Sequence, residues 1–175
     1  MKHSTRRRGA ILSLLAAGLL GSLVALPARA LDAPTGKVLL TVSGAVANAN
    51  DNRAASFDLA LLQQLPLTSF STKTPWYAQP RRFSGVLLRD LLAGVGAAPG
   101  ATIKAVALND YRVDIPADDA ARDGAMIAYL LDDKPLSVRE KGPLVIIYPF
   151  DDKPELRDAV HYSRAIWQLR SLELK

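Results

Sequence analysis

What most constrains this chain is the rhythm of its apolar residues. They fall into seven short strand-like runs and three short helical ones, in no regular alternation. Val38, Leu40 and Val42 give Lys37–Ser43 one apolar face, and Leu67–Thr74 alternates hydroxyls with Leu67 and Phe70. Ile103–Leu108 and Tyr111–Ile115 flank Asn109-Asp110, a two-residue turn that tolerates positive φ. Ala125–Leu131 and Leu144–Tyr148 are continuous apolar runs, as in buried strands. Ala165–Leu174 alternates with one slip, which predicts a bulge near Arg170 and Ser171. Helices are predicted over Phe57–Leu65, capped by Ser56 and stopped by Pro66, and from Phe83-Ser84-Gly85-Val86 to Gly94. A third helical turn starts at Pro116. Gly44–Arg53, Thr74–Arg82 and Phe150–Val160 read as loops, the second proline-bounded with exposed aromatics. The pattern is that of an α+β fold with a mixed sheet.

The first 30 residues stand apart from this rhythm. Met1 to Arg8 is basic, Ala10–Leu26 is apolar, and Leu26-Pro27-Ala28-Arg29-Ala30 supplies a helix breaker and a small-x-small site. These are the parts of a secretory signal in their proper order, so cleavage after Ala30 and a periplasmic location are expected. Arg6-Arg7 admits the folded-export route, but Gly9-Ala10-Ile11 continues it poorly, and unfolded export is the favoured expectation. Residues 31–175 suit a single domain. A lipid anchor at the junction would need a cysteine, and the sequence has none. The released chain is therefore expected to be neither tethered nor embedded in a membrane.

The net charge of +5 belongs wholly to that leader. Lys2, Arg6, Arg7, Arg8 and Arg29 precede the first acid, leaving 17 basic against 17 acidic residues beyond Ala30. A balanced domain without a Lys/Arg cluster lacks the electrostatic footprint of a nucleic-acid binder. Zero cysteines exclude disulfides and thiolate ligands. His161 is the only histidine beyond the leader, so a histidine-rich metal centre is excluded and no metal site is expected.

The order of several phrases resembles the molybdopterin-binding domain of the sulfite-oxidase family. They are Phe83-Ser84-Gly85-Val86-Leu87-Leu88-Arg89-Asp90-Leu91-Leu92, Asn109-Asp110-Tyr111, Ile115-Pro116 and Met126-Ile127-Ala128-Tyr129. Leu136, Lys141-Gly142-Pro143-Leu144 and Tyr148-Pro149 follow in sequence. The resemblance spans roughly residues 38–174. It implies that family's α+β fold and, for its catalytic members, molybdopterin with a cysteine thiolate on molybdenum. Here the corresponding stretch is Thr68-Ser69-Phe70-Ser71-Thr72-Lys73-Thr74, which offers hydroxyls and one ammonium. A hydroxyl is a far poorer ligand for a thiolate-preferring metal. Val145 follows Leu144 where the resemblance implies an arginine for the cofactor phosphate, and Asp151-Asp152 adds negative charge nearby. The chain is also about half the length of the catalytic domains.

Ligand contacts are therefore expected from Thr72, Thr74 and Trp76, from Arg81 and Arg82 as an anion clamp, and from Tyr111, Tyr148, Asp151 and Arg164. Trp167 reads as core. No catalytic residue emerges. No cofactor is expected from the residues alone, while the resemblance admits molybdopterin. The leading expectation is an exported, non-catalytic binding or accessory module for a small anionic ligand or a partner protein. Two alternatives stand beside it: a molybdopterin-dependent oxidoreductase without a protein thiolate, and a periplasmic sensory partner of a membrane receptor.

Overall fold

The computed structural model describes residues 31–175; the signal peptide expected at residues 1–30 lies outside the described residues. The strands are β1 (Leu40–Gly44), β2 (Ala55–Phe57), β3 (Leu67–Thr74), β4 (Tyr77–Leu87) and β5 (Ile103–Ala107), followed by β6 (Arg112–Ile115), β7 (Met126–Leu131), β8 (Lys134–Pro135), β9 (Val145–Ile147) and β10 (Leu169–Leu174). Four short helices join them: α1 (Leu59–Leu62), α2 (Leu88–Gly94), α3 (Ala117–Ala121) and α4 (Ala159–Arg164).

The strands form two sheets. The first has the order β2-β1-β10-β5-β6, in which only β1 and β10 run parallel. The second has the order β3-β4-β7-β8, with β9 also paired to β7, and is antiparallel throughout. The α+β class holds, and the mixed strand directions belong to the first sheet. Leu40, Val42, Ile103 and Leu172 of the first sheet share one core with Val86, Met126, Ile127 and Ile146 of the second and with Leu88 and Leu91 of α2. Each such side chain contributes roughly 1.5–3 kcal/mol by leaving water. Strand β7 buries four consecutive residues, Met126 to Tyr129, as its continuous apolar run implies.

Four local expectations are corrected. Ser56 does not cap a helix. It pairs with Thr41 in the β1–β2 ladder, and Asp58 caps α1 instead, accepting from Leu61 N at 2.9 Å. Asp58 also accepts from Thr35 N at 2.9 Å and Gly36 N at 2.7 Å. The N–H of Leu61, then that of Gly36, holds its carboxyl below the ordinary value.

Phe83 to Val86 does not open a helix but ends β4. Gly85 is needed there because a Cβ would lie 2.0 Å from the Ile127 carbonyl oxygen, at a register shift between Ser84 and Gly85. The Thr74–Arg82 stretch is not a loop. β3 and β4 form a hairpin through Pro75-Trp76, and Pro80 sits beside the register shift between Thr72 and Thr74, where no ladder bond is demanded of it. Finally, the last strand begins at Leu169, not Ala165, because α4, capped by Asp158 accepting from His161 N at 2.8 Å, runs on to Arg164 and Gln168 turns left-handed at φ 53°. The predicted bulge is present between Leu169 and Ser171.

Candidate functional site

Four connections converge on one open cleft of about 520 Å³. The β3–β4 turn brings Trp76, and the β5–β6 turn brings Asn109 and Tyr111. A 3₁₀ turn, Val138–Glu140, brings Val138, Arg139 and Lys141, and the end of α4 with its link to β10 brings Tyr162, Ser163, Trp167 and Gln168.

The wall of this cleft is held by unusual backbone. Lys141 and Gln168 both lie at positive φ, 75° and 53°. For residues with a Cβ this costs of order 1–3 kcal/mol each and persists where surroundings over-determine it. Here Gln168 N donates to the Lys141 carbonyl at 2.8 Å, and its side-chain amide donates to the Val138 carbonyl at 2.9 Å. Gly142 lets this turn press on Leu136, whose carbonyl oxygen would be 2.3 Å from any Cβ.

Aromatic rings pave the cleft. Trp76 meets Trp167 edge-on with centroids 4.6 Å apart, and meets Tyr162 at 6.0 Å. Lys141 Nζ stands 4.2 Å from the Trp167 centroid, a cation–π contact. The Tyr111 hydroxyl donates to the Ser163 carbonyl at 3.0 Å and ties the β5–β6 turn to the end of α4. Arg139 and Lys141 are the cations of the lining, and no carboxylate belongs to it. The lining thus combines aromatic rings with positive charge, a chemistry that suits an anion.

Of the expected ligand contacts, Trp76 and Tyr111 are placed in the lining of the cleft, and the others lie outside it. Thr72 is fully buried, and its hydroxyl accepts from Asp151 N at 3.1 Å. Thr74 is buried too, with a hydroxyl that has no hydrogen-bond partner among the described residues. The Asp151 carboxylate accepts from Lys73 N at 3.0 Å and pairs with Arg157, so it fastens β3 to the loop after β9. Arg81 and Arg82 pair with Asp132 and Asp133 of the β7–β8 hairpin, and Arg81 also covers Tyr77 at 4.8 Å. The Arg82 N–H, then the Arg81 side chain, hold Asp132 below its ordinary pKa.

Tyr148 and Arg164 belong to a buried network next to the cleft. The Tyr148 hydroxyl donates to Asp119 Oδ2 at 2.7 Å, and Arg164 Nη1 lies 3.2 Å from both Asp119 oxygens. Burial first, then the Asp119 hydrogen bond, push the Tyr148 phenol far above its ordinary pKa. His161 continues this network. Its Nδ1 is 2.9 Å from Asp158 Oδ2, and its Nε2 is 3.9 Å from Asp123 Oδ2. The His161 N–H, then its ring, lower the Asp158 pKa. Asp119, Asp123 and His161 gather potential ligand atoms within 4.8 Å of one another. The Arg164 guanidinium already fills the place of a cation on Asp119.

Trp167 corrects the sequence reading: it is half-buried and forms the cleft wall rather than the core. Strict alternation from Ala165 to Leu169 points Trp167 inward, but the left-handed turn at Gln168 breaks that alternation. Arg139, Tyr162 and Gln168 carry no motif that marks them. Only the Lys141-Gly142-Pro143 breaker signals a special backbone there.

The model of the family described as "Oxidoreductase molybdopterin binding domain" matches residues 40–150. Among solved structures, the chain is similar to the sulfane dehydrogenase SoxCD from Paracoccus pantotrophus, with a TM-score of 0.56 and 17% identity. That likeness shows the fold. It covers 77% of this chain and 37% of that one, so the chain spans little more than a third of its neighbour's length. No curated protein matches. The donor set does not fit a thiolate-held metal. The sequence contains no cysteine, the Thr72 hydroxyl is engaged by the Asp151 N–H, and the Thr74 hydroxyl is sealed in the interior.

Proposed function

The chain belongs to the oxidoreductase molybdopterin-binding domain family, and from that premise we propose that it works as a non-catalytic, exported module that binds a small planar anion. The observation that carries this reading is the cleft itself. Trp76, Tyr162 and Trp167 offer ring faces and edges, while Arg139 and Lys141 offer positive charge without a carboxylate in the lining. The missing thiolate supports a binding role, because family membership does not transfer chemistry when the metal's ligand is absent. The leader over residues 1–30 supports a periplasmic site of action.

Binding of this kind is read by tryptophan fluorescence. Pterin-6-carboxylate should quench Trp76 and Trp167 and bind about tenfold more tightly than neutral pterin, the equivalent of one good charge contact. Salt should erase most of that preference. Equal affinity for the two probes, or binding that survives loss of both Arg139 and Lys141, would remove the basis for an anion site.

A further inference from the structure

A second depression, about 380 Å³, adjoins the cleft through Val138, which lines both. Its walls include Val38, Leu108, Val138 and Pro143, with Lys37 and Arg170 among its lining. It opens because the β1–β10 ladder starts only at Thr41 and Ser171, so Lys37 to Leu39 run on without β10 opposite them. The bulge after Leu169 adds to that divergence.

Two properties set this groove apart. Only six large apolar side chains are exposed among the described residues, and three of them, Val38 (42%), Leu108 (45%) and Val138 (51%), gather here. A fourth, Tyr111, lines the adjoining cleft. Scattered exposed apolar residues need no explanation, but a contiguous cluster in a recess marks a contact surface. The second property is charge. No acidic side chain lines either depression, although residues 31–175 balance 17 acids against 17 bases. Lys37, Arg139, Lys141 and Arg170 supply the local cations. Asp110 pairs with Arg170 at 2.7 Å, and Glu140 lies between Arg139 and Lys141 on the shared 3₁₀ turn, accepting from the Ser137 hydroxyl, so the positive excess of the groove rests mainly on Lys37.

We infer that this groove docks a short segment of a partner protein in which apolar side chains are flanked by carboxylates. The recess accepts inserted aliphatic or aromatic side chains, and the cationic lining orients the acidic flanks. A concave recess of this size fits protruding side chains better than a flat bilayer surface. The shared Val138 wall places the docked segment beside the anion cleft, while the groove's own contacts, Val38, Leu108, Pro143 and Lys37, lie outside the cleft lining.

Panning a random peptide phage library on the purified protein tests this directly. Enriched sequences should combine Leu, Ile, Val or Phe with Asp or Glu. A synthetic peptide of that composition should lose about tenfold in affinity with Leu108→Glu, as for a centrally placed contact, and should weaken as salt rises. Lys37→Glu should weaken it further, while Trp167→Ala, which removes the cleft wall, should leave it bound. Leu108 and Lys37 are exposed, so unchanged far-UV circular dichroism is expected for both variants. Enrichment of basic peptides, or of none, would overturn the inference, as would acidic peptides indifferent to Leu108→Glu. So would sedimentation showing that the groove instead joins two copies of the chain, or Leu108-dependent adsorption to phosphatidylglycerol vesicles.

Discussion

Two cationic regions meet near the end of α4, and they are finished differently. Arg164 turns inward and finds both oxygens of buried Asp119, which also accepts from Tyr148. Arg139 and Lys141 turn toward the cleft, and among the described residues neither forms an ion pair. Charge matched inside the protein fixes packing; charge left against an aromatic wall is available to something else. The same contrast disposes of Arg81, Arg82 and Asp151, each of which has its counter-charge within the fold.

The sharpest way to break this contrast is to strip the buried network. Arg164→Ala leaves the Asp119 carboxylate uncompensated and should cost about 3–5 kcal/mol, seen as a large fall in urea midpoint. A loss under about 1 kcal/mol would mean that the pair is no more structural than a surface contact. A smaller effect is expected from Tyr148→Phe, about 1–3 kcal/mol, because Asp119 keeps Arg164. At the cleft the order reverses. Lys141→Met should change stability by no more than about 1 kcal/mol, the scale of an exposed cation–π contact. It should nevertheless weaken pterin-6-carboxylate binding by roughly fivefold.

Titration separates the regions more gently. Tyr148 has a raised folded pKa, so its contribution is intact below the ordinary phenol value of about 10 and declines as pH climbs above it. Alkaline unfolding should begin there, and its pH slope should shrink in Tyr148→Phe. Asp58 and Asp158 have lowered folded pKa values, so their capping contributions are present above about pH 4 and lost as pH falls through the folded values. Acid unfolding should therefore start below pH 4 and shift upward in Asp58→Asn. Protection of the α1 amides from exchange would report the first cap to fail.

Most strands were legible because their apolar residues are local signals. Leu67–Thr74 is observed over its predicted span, and the turn around Asn109-Asp110 is present with Asp110 at φ 65°, although Ala107 N donates to the Tyr111 carbonyl across it, so it spans three residues instead of the two predicted. What was not legible depends on partners distant in sequence. Phe83-Ser84-Gly85-Val86 is locally ambiguous, and only β7 beside Gly85 makes it a strand. Arg81 and Arg82 look like a free anion clamp until the β7–β8 turn sets Asp132 and Asp133 against them. Trp76 was visible as an aromatic beside a proline turn, but Trp167 and Lys141 reach the same cleft through left-handed residues that no periodicity encodes.

The proposed role requires that the chain bind its anion without a thiolate-held molybdenum. Its most direct test is the molybdenum and pterin content of the full chain purified from a molybdopterin-competent host. Substoichiometric molybdenum is predicted, together with a purified protein that still binds pterin-6-carboxylate in the Trp76–Trp167 cleft. One molybdenum per chain, retained through gel filtration, would contradict it.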